Sequence, residues 1–266
     1  ILSFIPVEKN VEVMLVTITN TGRMAQTVTP TAAIPLYGRS ADNIRDHRHV
    51  TSLLHRIETT DIGVLVTPTL SFDERGHQVN HMTYYCVGWS GNGEKPVDFY
   101  PTAEDFVGEG GNFERPYAIV KNAEGVKAGT RIEGLEAVGG LHFSEVTLEP
   151  EEECSYLIFT GITEDIQEIR NLSKTYTTRE MVLEELEKTK AYWQEKVNVA
   201  YHTGDSDFNQ FMHWVSFQPI LRRIYGCSFL PHHDYGKGGR GWRDLWQDCL
   251  ALLIMNPDGV RQMLLD

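Results

Sequence analysis

Hydrophobic and polar residues along this chain repeat with two different periods, and the change falls near Thr163. Before it, apolar residues alternate with polar ones in the manner of half-buried strands. Val11, Val13, Leu15 and Thr17 share one face of such a strand, and Glu12, Met14, Val16 and Ile18 share the other. Asn20-Thr21-Gly22 supplies the turn. Further strands are predicted at Val64–Leu70, Met82–Trp89, Leu141–Leu148 and Tyr156–Gly161, with turns at Asp73-Glu74-Arg75-Gly76 and Ser90-Gly91-Asn92-Gly93. Short antiparallel strands of this kind predict a β-sandwich over residues 1–162.

After Thr163 the period lengthens to that of a helix. Met181, Leu183, Leu186, Ala191, Tyr192 and Trp193 mark a helical linker within 163–200. Residues 201–266 read as more helices. One is expected over about Asp207–Tyr225, with Thr203, Asp205 or Ser206 as cap, with Phe211, Trp214, Val215 and Leu221 inward, and with a kink at Pro219. The next follows Gly238-Gly239-Arg240-Gly241 and ends near Asn256-Pro257-Asp258-Gly259. On it, Trp242, Leu245, Trp246, Cys249, Leu250, Leu253 and Ile254 form a seam that should face a core. Beside the seam lie Arg243, Asp244, Gln247 and Asp248. Two carboxylates at i,i+4 repel unless something compensates them. Pairing of one with Arg243 would do so, as would hydrogen bonds from a polyhydroxylated ligand, for which Trp242 and Trp246 offer flat faces. An ordinary solvated charged face is the competing explanation.

Composition narrows the function classes. The 266 residues are 41% hydrophobic and 23% charged, as in a globular protein. A formal net charge of -13 argues against nucleic-acid and anionic-membrane partners but leaves room for a local phosphate site. The 4 cysteines form no C-x-x-C pair, which suggests reduced thiols and a cytoplasmic setting. No run is long enough to span a membrane, and the first residues carry neither a signal-peptide pattern nor an initiator Met. The chain is therefore expected to be a piece of a longer protein. Arg39, Arg45, His47, Arg48, His49, His55 and Arg56 form a basic stretch. His47-x-His49 lacks the companions of a metal site, so no metal is assigned. A solvated loop, a loop reaching an active site and a subunit contact all remain open. Gly108-x-Gly110-Gly111 lacks the strand–helix context and the Lys of a nucleotide loop.

Four segments resemble the inverting disaccharide and oligosaccharide phosphorylases of glycoside hydrolase family 94, the cellobiose and chitobiose phosphorylase family. They are Phe4-Ile5-Pro6-Val7-Glu8-Lys9-Asn10-Val11-Glu12-Val13, Phe106–Gly111 with Pro116, Leu186–Trp193, and the Gly-Gly turn with Arg243-Asp244-x-x-Gln247-Asp248. The last, with Ile34–Ile57, looks closest to the β-1,2-oligoglucan phosphorylase branch. The resemblance implies a galactose-mutarotase-like supersandwich, linker helices and the first helices of an (α/α)6 barrel. It implies phosphorolysis of a β-linked gluco-oligosaccharide to α-glucose 1-phosphate, with inorganic phosphate as co-substrate, no cofactor, and a homodimeric intact enzyme. Arg243, Asp244, Gln247 and Asp248, with Trp242 and Arg240, would line the sugar subsite. Lys237 and His233 are candidates for phosphate contact. The general-acid Asp of the family has no counterpart here and is expected beyond residue 266, so no catalytic residue is assigned and this chain alone should be inactive. Two alternatives stay open: the phosphorylase-like domain of a cyclic β-1,2-glucan synthase, and a non-catalytic carbohydrate-binding or assembly module.

Overall fold

The computed structural model describes residues 1–7, 9–38, 48–73, 76–225 and 242–265. They divide into two compact units, Ile1–Leu186 and Glu187–Asp266.

The first unit opens with β1 (Leu2–Phe4), β2 (Val11–Thr19), β3 (Gln26–Val28), β4 (Thr31–Leu36) and α1 (Arg48–Ser52). There follow β5 (Arg56–Thr59), β6 (Gly63–Val66), β7 (Leu70–Asp73), β8 (Gly76–Val79), β9 (Thr83–Ser90) and β10 (Asp98–Thr102). Next come α2 (Ala103–Val107), α3 (Tyr117–Val120), β11 (Arg131–Glu133), β12 (Ala137–His142), β13 (Val146–Leu148) and β14 (Glu153–Thr163). Two helices close it, α4 (Ile166–Thr175) and the start of α5 (Arg179–Lys196). The main sheet has 7 strands in the order β1-β2-β14-β9-β6-β5-β11, and a second has 3, β10-β12-β4. Every pairing in both is antiparallel. The β-then-α reading is correct at this level. The short helices α1, α2 and α3 interrupt the β region without having been expected. The start of α2 was legible: Thr102 accepts from the Asp105 amide at 3.1 Å and donates to its carboxylate at 2.7 Å, a capping pair of the Thr-x-x-acid kind.

Strand alternation explains why the main sheet is buried on both sides. Val11, Val13 and Leu15 of β2, Tyr85, Val87 and Trp89 of β9, and Leu157 and Phe159 of β14 join Ile169, Leu172, Tyr176 and Val182 in one core. The opposite face, with Val64, Val66, Cys86 and Ile158, packs with Leu36, Phe99, Ala137 and Leu141 of the small sheet. A Cβ on Gly139 would overlap Cys86, so glycine permits the close approach of the two sheets. The helical side is anchored by polar bonds as well. The Trp89 indole N–H donates to the Tyr176 carbonyl at 2.8 Å, and Lys9 Nζ donates to the Tyr176 hydroxyl at 2.8 Å. At the first turn Asn20 donates to the carbonyls of Leu148 and Met24 and accepts from Gly22, which holds the turn read from Asn20-Thr21-Gly22.

The second unit contains the rest of α5, then α6 (Ser206–Tyr225), α7 (Trp242–Met255) and α8 (Val260–Leu265). Asp205 caps α6 by accepting from the Asp207 and Phe208 amides at 2.9 and 3.1 Å. The core gathers Val197, Ile220, Cys249, Leu252, Val260 and Met263, with Trp193, Phe217 and Leu245 against it. Here the inward faces differ from those expected. On α6, Phe211, Trp214 and Val215 are exposed, and Ser216, Phe217 and Ile220 turn inward. On α7, Trp246, Leu250, Leu253 and Ile254 are exposed, the last at 81%, while Cys249, Leu252 and Met255 are buried. The reason is that α7 is apolar nearly all round, so its periodicity does not select one face. Similarly in α5, Val182 is the fully buried residue and Met181 and Ala191 are exposed.

Candidate functional site

The inward stripe of α7 runs Leu245, Asp248, Cys249, Leu252 and Met255, a spacing of three and four residues. Asp248 is the one charged member, and it is 94% buried, from a relative exposure of 6%. A buried carboxylate needs a partner. It finds Arg222 in the last turn of α6, whose Nε and Nη2 both lie 2.7 Å from Asp248 Oδ1. Both contacts fall on one oxygen, so the second is not tied to Arg222. The adjacent Arg223 donates to the Asn256 side chain at 3.1 Å and to the Asn256 carbonyl at 2.6 Å. It thereby satisfies an orphan carbonyl at the C-terminus of α7 and welds the two helices together.

Above the pair lies a cavity of about 410 Å³, lined by Tyr201, Ser216, Pro219, Arg222, Gln247 and Asp248 among others. Pro219 sits inside α6, which continues through it. Proline has no N–H for the carbonyl four residues back, that of Val215, another residue of the lining. Ser216 donates to the Met212 carbonyl at 2.9 Å and lies 3.5 Å from the Tyr201 hydroxyl. The cavity therefore offers a charge-paired carboxylate, a carboxamide, two hydroxyls and hydrocarbon. That mixture can hold a sugar ring by its hydroxyls and its C–H face, using charge-assisted hydrogen bonds of about 1.5–3 kcal/mol each.

Of the residues singled out from the sequence, Gln247 and Asp248 come together on this cavity. Arg243 lies on α7 and is exposed. Asp248 pairs with Arg222, a partner that the sequence did not single out. Arg222 carried a weak sequence signal: a cation in the last turn of a helix is ordinarily read as complementing the helix dipole. Trp242 and Asp244 lie on the α7 backbone, and their side chains fall outside the described residues, as do Lys237, Arg240 and His233. The same holds for Arg39, Arg45 and His47 of the basic stretch. Cys86 and Cys154 are free thiols, and burial pushes the Cys86 thiol up to about 12. Among the described residues no helix is long and apolar enough to cross a membrane.

Comparison with known proteins sets this geometry in context. Residues 1–179 match the family described as "Glycosyl hydrolase 94, supersandwich domain". The chain is also similar to the cyclic beta-(1,2)-glucan synthase NdvB of Rhizobium meliloti (strain 1021), at 26% identity over 194 residues. That alignment covers 68% of this chain and 6% of the relative, so the chain spans a small part of the relative's length. The family match ends before α6, so the cavity at Asp248 lies outside the matched span.

Proposed function

This chain belongs to the glycosyl hydrolase 94 family, and from that premise we propose that it is the sandwich, linker and first barrel helices of an inverting glycoside phosphorylase acting on β-1,2- or β-1,4-linked gluco-oligosaccharides. The observation that carries the reading beyond family membership is the buried Arg222–Asp248 pair beside Gln247 on a 410 Å³ cavity. Asp248 is the second carboxylate of the Arg-Asp-x-x-Gln-Asp motif. Held by Arg222 in a poorly hydrated place, its carboxylate can accept a hydrogen bond from a sugar hydroxyl, and such a bond is strong there. In phosphorolysis the phosphate is the nucleophile, so an acid for the leaving group suffices and no base is needed to activate water. That acid is assigned to the rest of the barrel, outside this chain. The uncovered apolar face of Trp246, Leu250, Leu253 and Ile254 supports the presence of further helices against it.

The test is steady-state kinetics of the intact enzyme with β-1,2- and β-1,4-gluco-oligosaccharides and phosphate. Wild type should release α-glucose 1-phosphate. Asp248→Asn, assayed well below its own melting temperature, should lower kcat/KM by roughly tenfold to a hundredfold, as expected for loss of one charge-assisted contact. Unchanged kinetics would remove Asp248 from the site.

A second reading has its own support. The similarity to a cyclic β-(1,2)-glucan synthase favours a phosphorylase-like domain that trims a linear β-1,2-glucan within a much larger polypeptide. Phosphate-dependent shortening of glucan carried by the same polypeptide, without turnover of free oligosaccharide, would select this reading over the first.

A further inference from the structure

In the sandwich unit, far along the sequence from Asp248, two turns are clamped together. The His55 carbonyl accepts from the Gly134 amide at 3.0 Å, and His55 Nδ1 lies 3.1 Å from the Leu135 carbonyl. A carbonyl can only accept, so Nδ1 carries the proton and Nε2 of the neutral ring carries the lone pair. His55 is 3% exposed, and among the described residues its Nε2 has no hydrogen-bond partner. A buried acceptor left without a donor is costly. Burial also lowers the His55 pKa below its ordinary value, which keeps the ring neutral and Nε2 an acceptor.

Nε2 belongs to a residue lining a small cavity of about 30 Å³, shared with Thr51, Ser52, Phe113 and Glu136. That volume suits one water or one hydroxyl group. Next to this cavity lies a groove of about 740 Å³ that has Ser52, Ala103, Phe113 and Glu136 in its lining as well. The groove falls within the range of about 300–1,000 Å³ typical of small-molecule sites. Leu53, Val107, Phe113 and Leu135 give it an apolar wall, and the carboxylates of Glu104 and Glu109 give it acceptors. Phe113 is 48% exposed and is held against Phe106, with ring centroids 5.8 Å apart and the rings tilted by 42°.

We propose that this groove is a second carbohydrate-binding site, which takes a neutral gluco-oligosaccharide against Phe113 and places one of its hydroxyls in the cavity at His55 Nε2. The carboxylates disfavour an anion. A sugar ring has a C–H face for the apolar wall and a rim of O–H donors for the acceptors, including the buried imidazole nitrogen. The site lies wholly in the sandwich unit and does not depend on the phosphorolysis reading.

The test titrates the purified 266-residue chain, isotopically labelled for nuclear magnetic resonance, with β-1,2-linked glucotetraose, and separately with spermidine. Binding should be saturable and should shift the amides of Leu53, His55, Phe113 and Leu135 and the His55 Nε2 resonance. Phe113→Ala, a substitution at a half-exposed position, should weaken it by about tenfold without changing the melting temperature. His55→Gln, checked for folding in the same way, should weaken it too. Four outcomes would overturn the proposal: no saturable shift at these residues, shifts confined to Gln247 and Asp248, equal affinity in Phe113→Ala, or capture of spermidine in place of the sugar. An Nε2 resonance that never responds to sugar would mean that the cavity holds a structural water only, which also overturns it.

Discussion

The two units of this chain handle apolar surface in opposite ways. In the sandwich, both faces of the 7-stranded sheet are covered, one by the small sheet and one by α4 and the start of α5. In the helical unit, α6 and α7 bury one side and leave Phe211, Trp214, Trp246 and Leu250 in solvent. A surface of that kind on a folded domain marks an interface. The comparison sets a sheet covered on both faces against a helical unit that, among the described residues, leaves an apolar face uncovered. The largest expected consequence is all-or-none. Residues 1–186 alone should unfold cooperatively in urea, while residues 187–266 alone should show helix by circular dichroism but no cooperative transition. A sharp transition in the isolated helical segment would break the comparison.

A finer test compares single positions. Phe159→Ala, in the fully buried layer with Trp89 at 4.8 Å and Tyr176 at 5.4 Å between ring centroids, should cost about 3–5 kcal/mol. Leu250→Ala, at a residue 63% exposed, should cost no more than about 0.5 kcal/mol in this chain. In the intact enzyme the same change should cost about 2–5 kcal/mol if further helices cover it. Equal, small effects in both proteins would show that nothing packs on this face.

The Arg222–Asp248 pair stands between these extremes, because Arg222 keeps 28% of its side-chain exposure and Asp248 only 9%. Arg222→Ala would leave a buried carboxylate unpaired and should destabilise the helical unit by about 1–3 kcal/mol. Amide hydrogen exchange should accelerate in α7 and leave β9 and β14 unchanged. Arg222→Ala combined with Asp248→Asn should recover part of the loss, since the stranded charge is then gone.

How much of this was legible in the sequence follows from the same contrast. In β2, alternation separated two faces: Val11, Val13 and Leu15 are found in one core, and Met14, Val16 and Ile18 pack against the other. In α7, nine apolar residues among Leu245–Met255 surround the axis, so spacing could show a helix but not its orientation. The four segments of family resemblance led to the family, which the match over 1–179 establishes. Arg222 was hidden because its partner is 26 residues away and the contact depends on how two helices dock. His55 was hidden in a basic stretch that read as a solvated loop, a loop reaching an active site or a subunit contact. Its burial comes from a turn 80 residues later in the chain, and no local pattern announces that.

The smallest expected effect concerns that histidine and separates it from its neighbours. Burial lowers the His55 pKa from 6.5; the Leu135 hydrogen bond and the charge of Glu136 oppose the shift but are smaller. The folded chain therefore binds this proton less readily than the unfolded chain. As pH falls through about 6.5, the unfolded state takes up the proton first, so stability is lost on acidification. The loss stops once the folded form is protonated too. Above 6.5 the contribution is fully present. Melting temperature measured from pH 8 to pH 5 should thus fall less in His55→Gln than in wild type, after both are referred to their values at pH 8. The other histidines and the carboxylates are common to both proteins and cancel in the difference. A steeper fall in the variant would mean that His55 is held charged, and the lone pair assigned to Nε2 would then be absent.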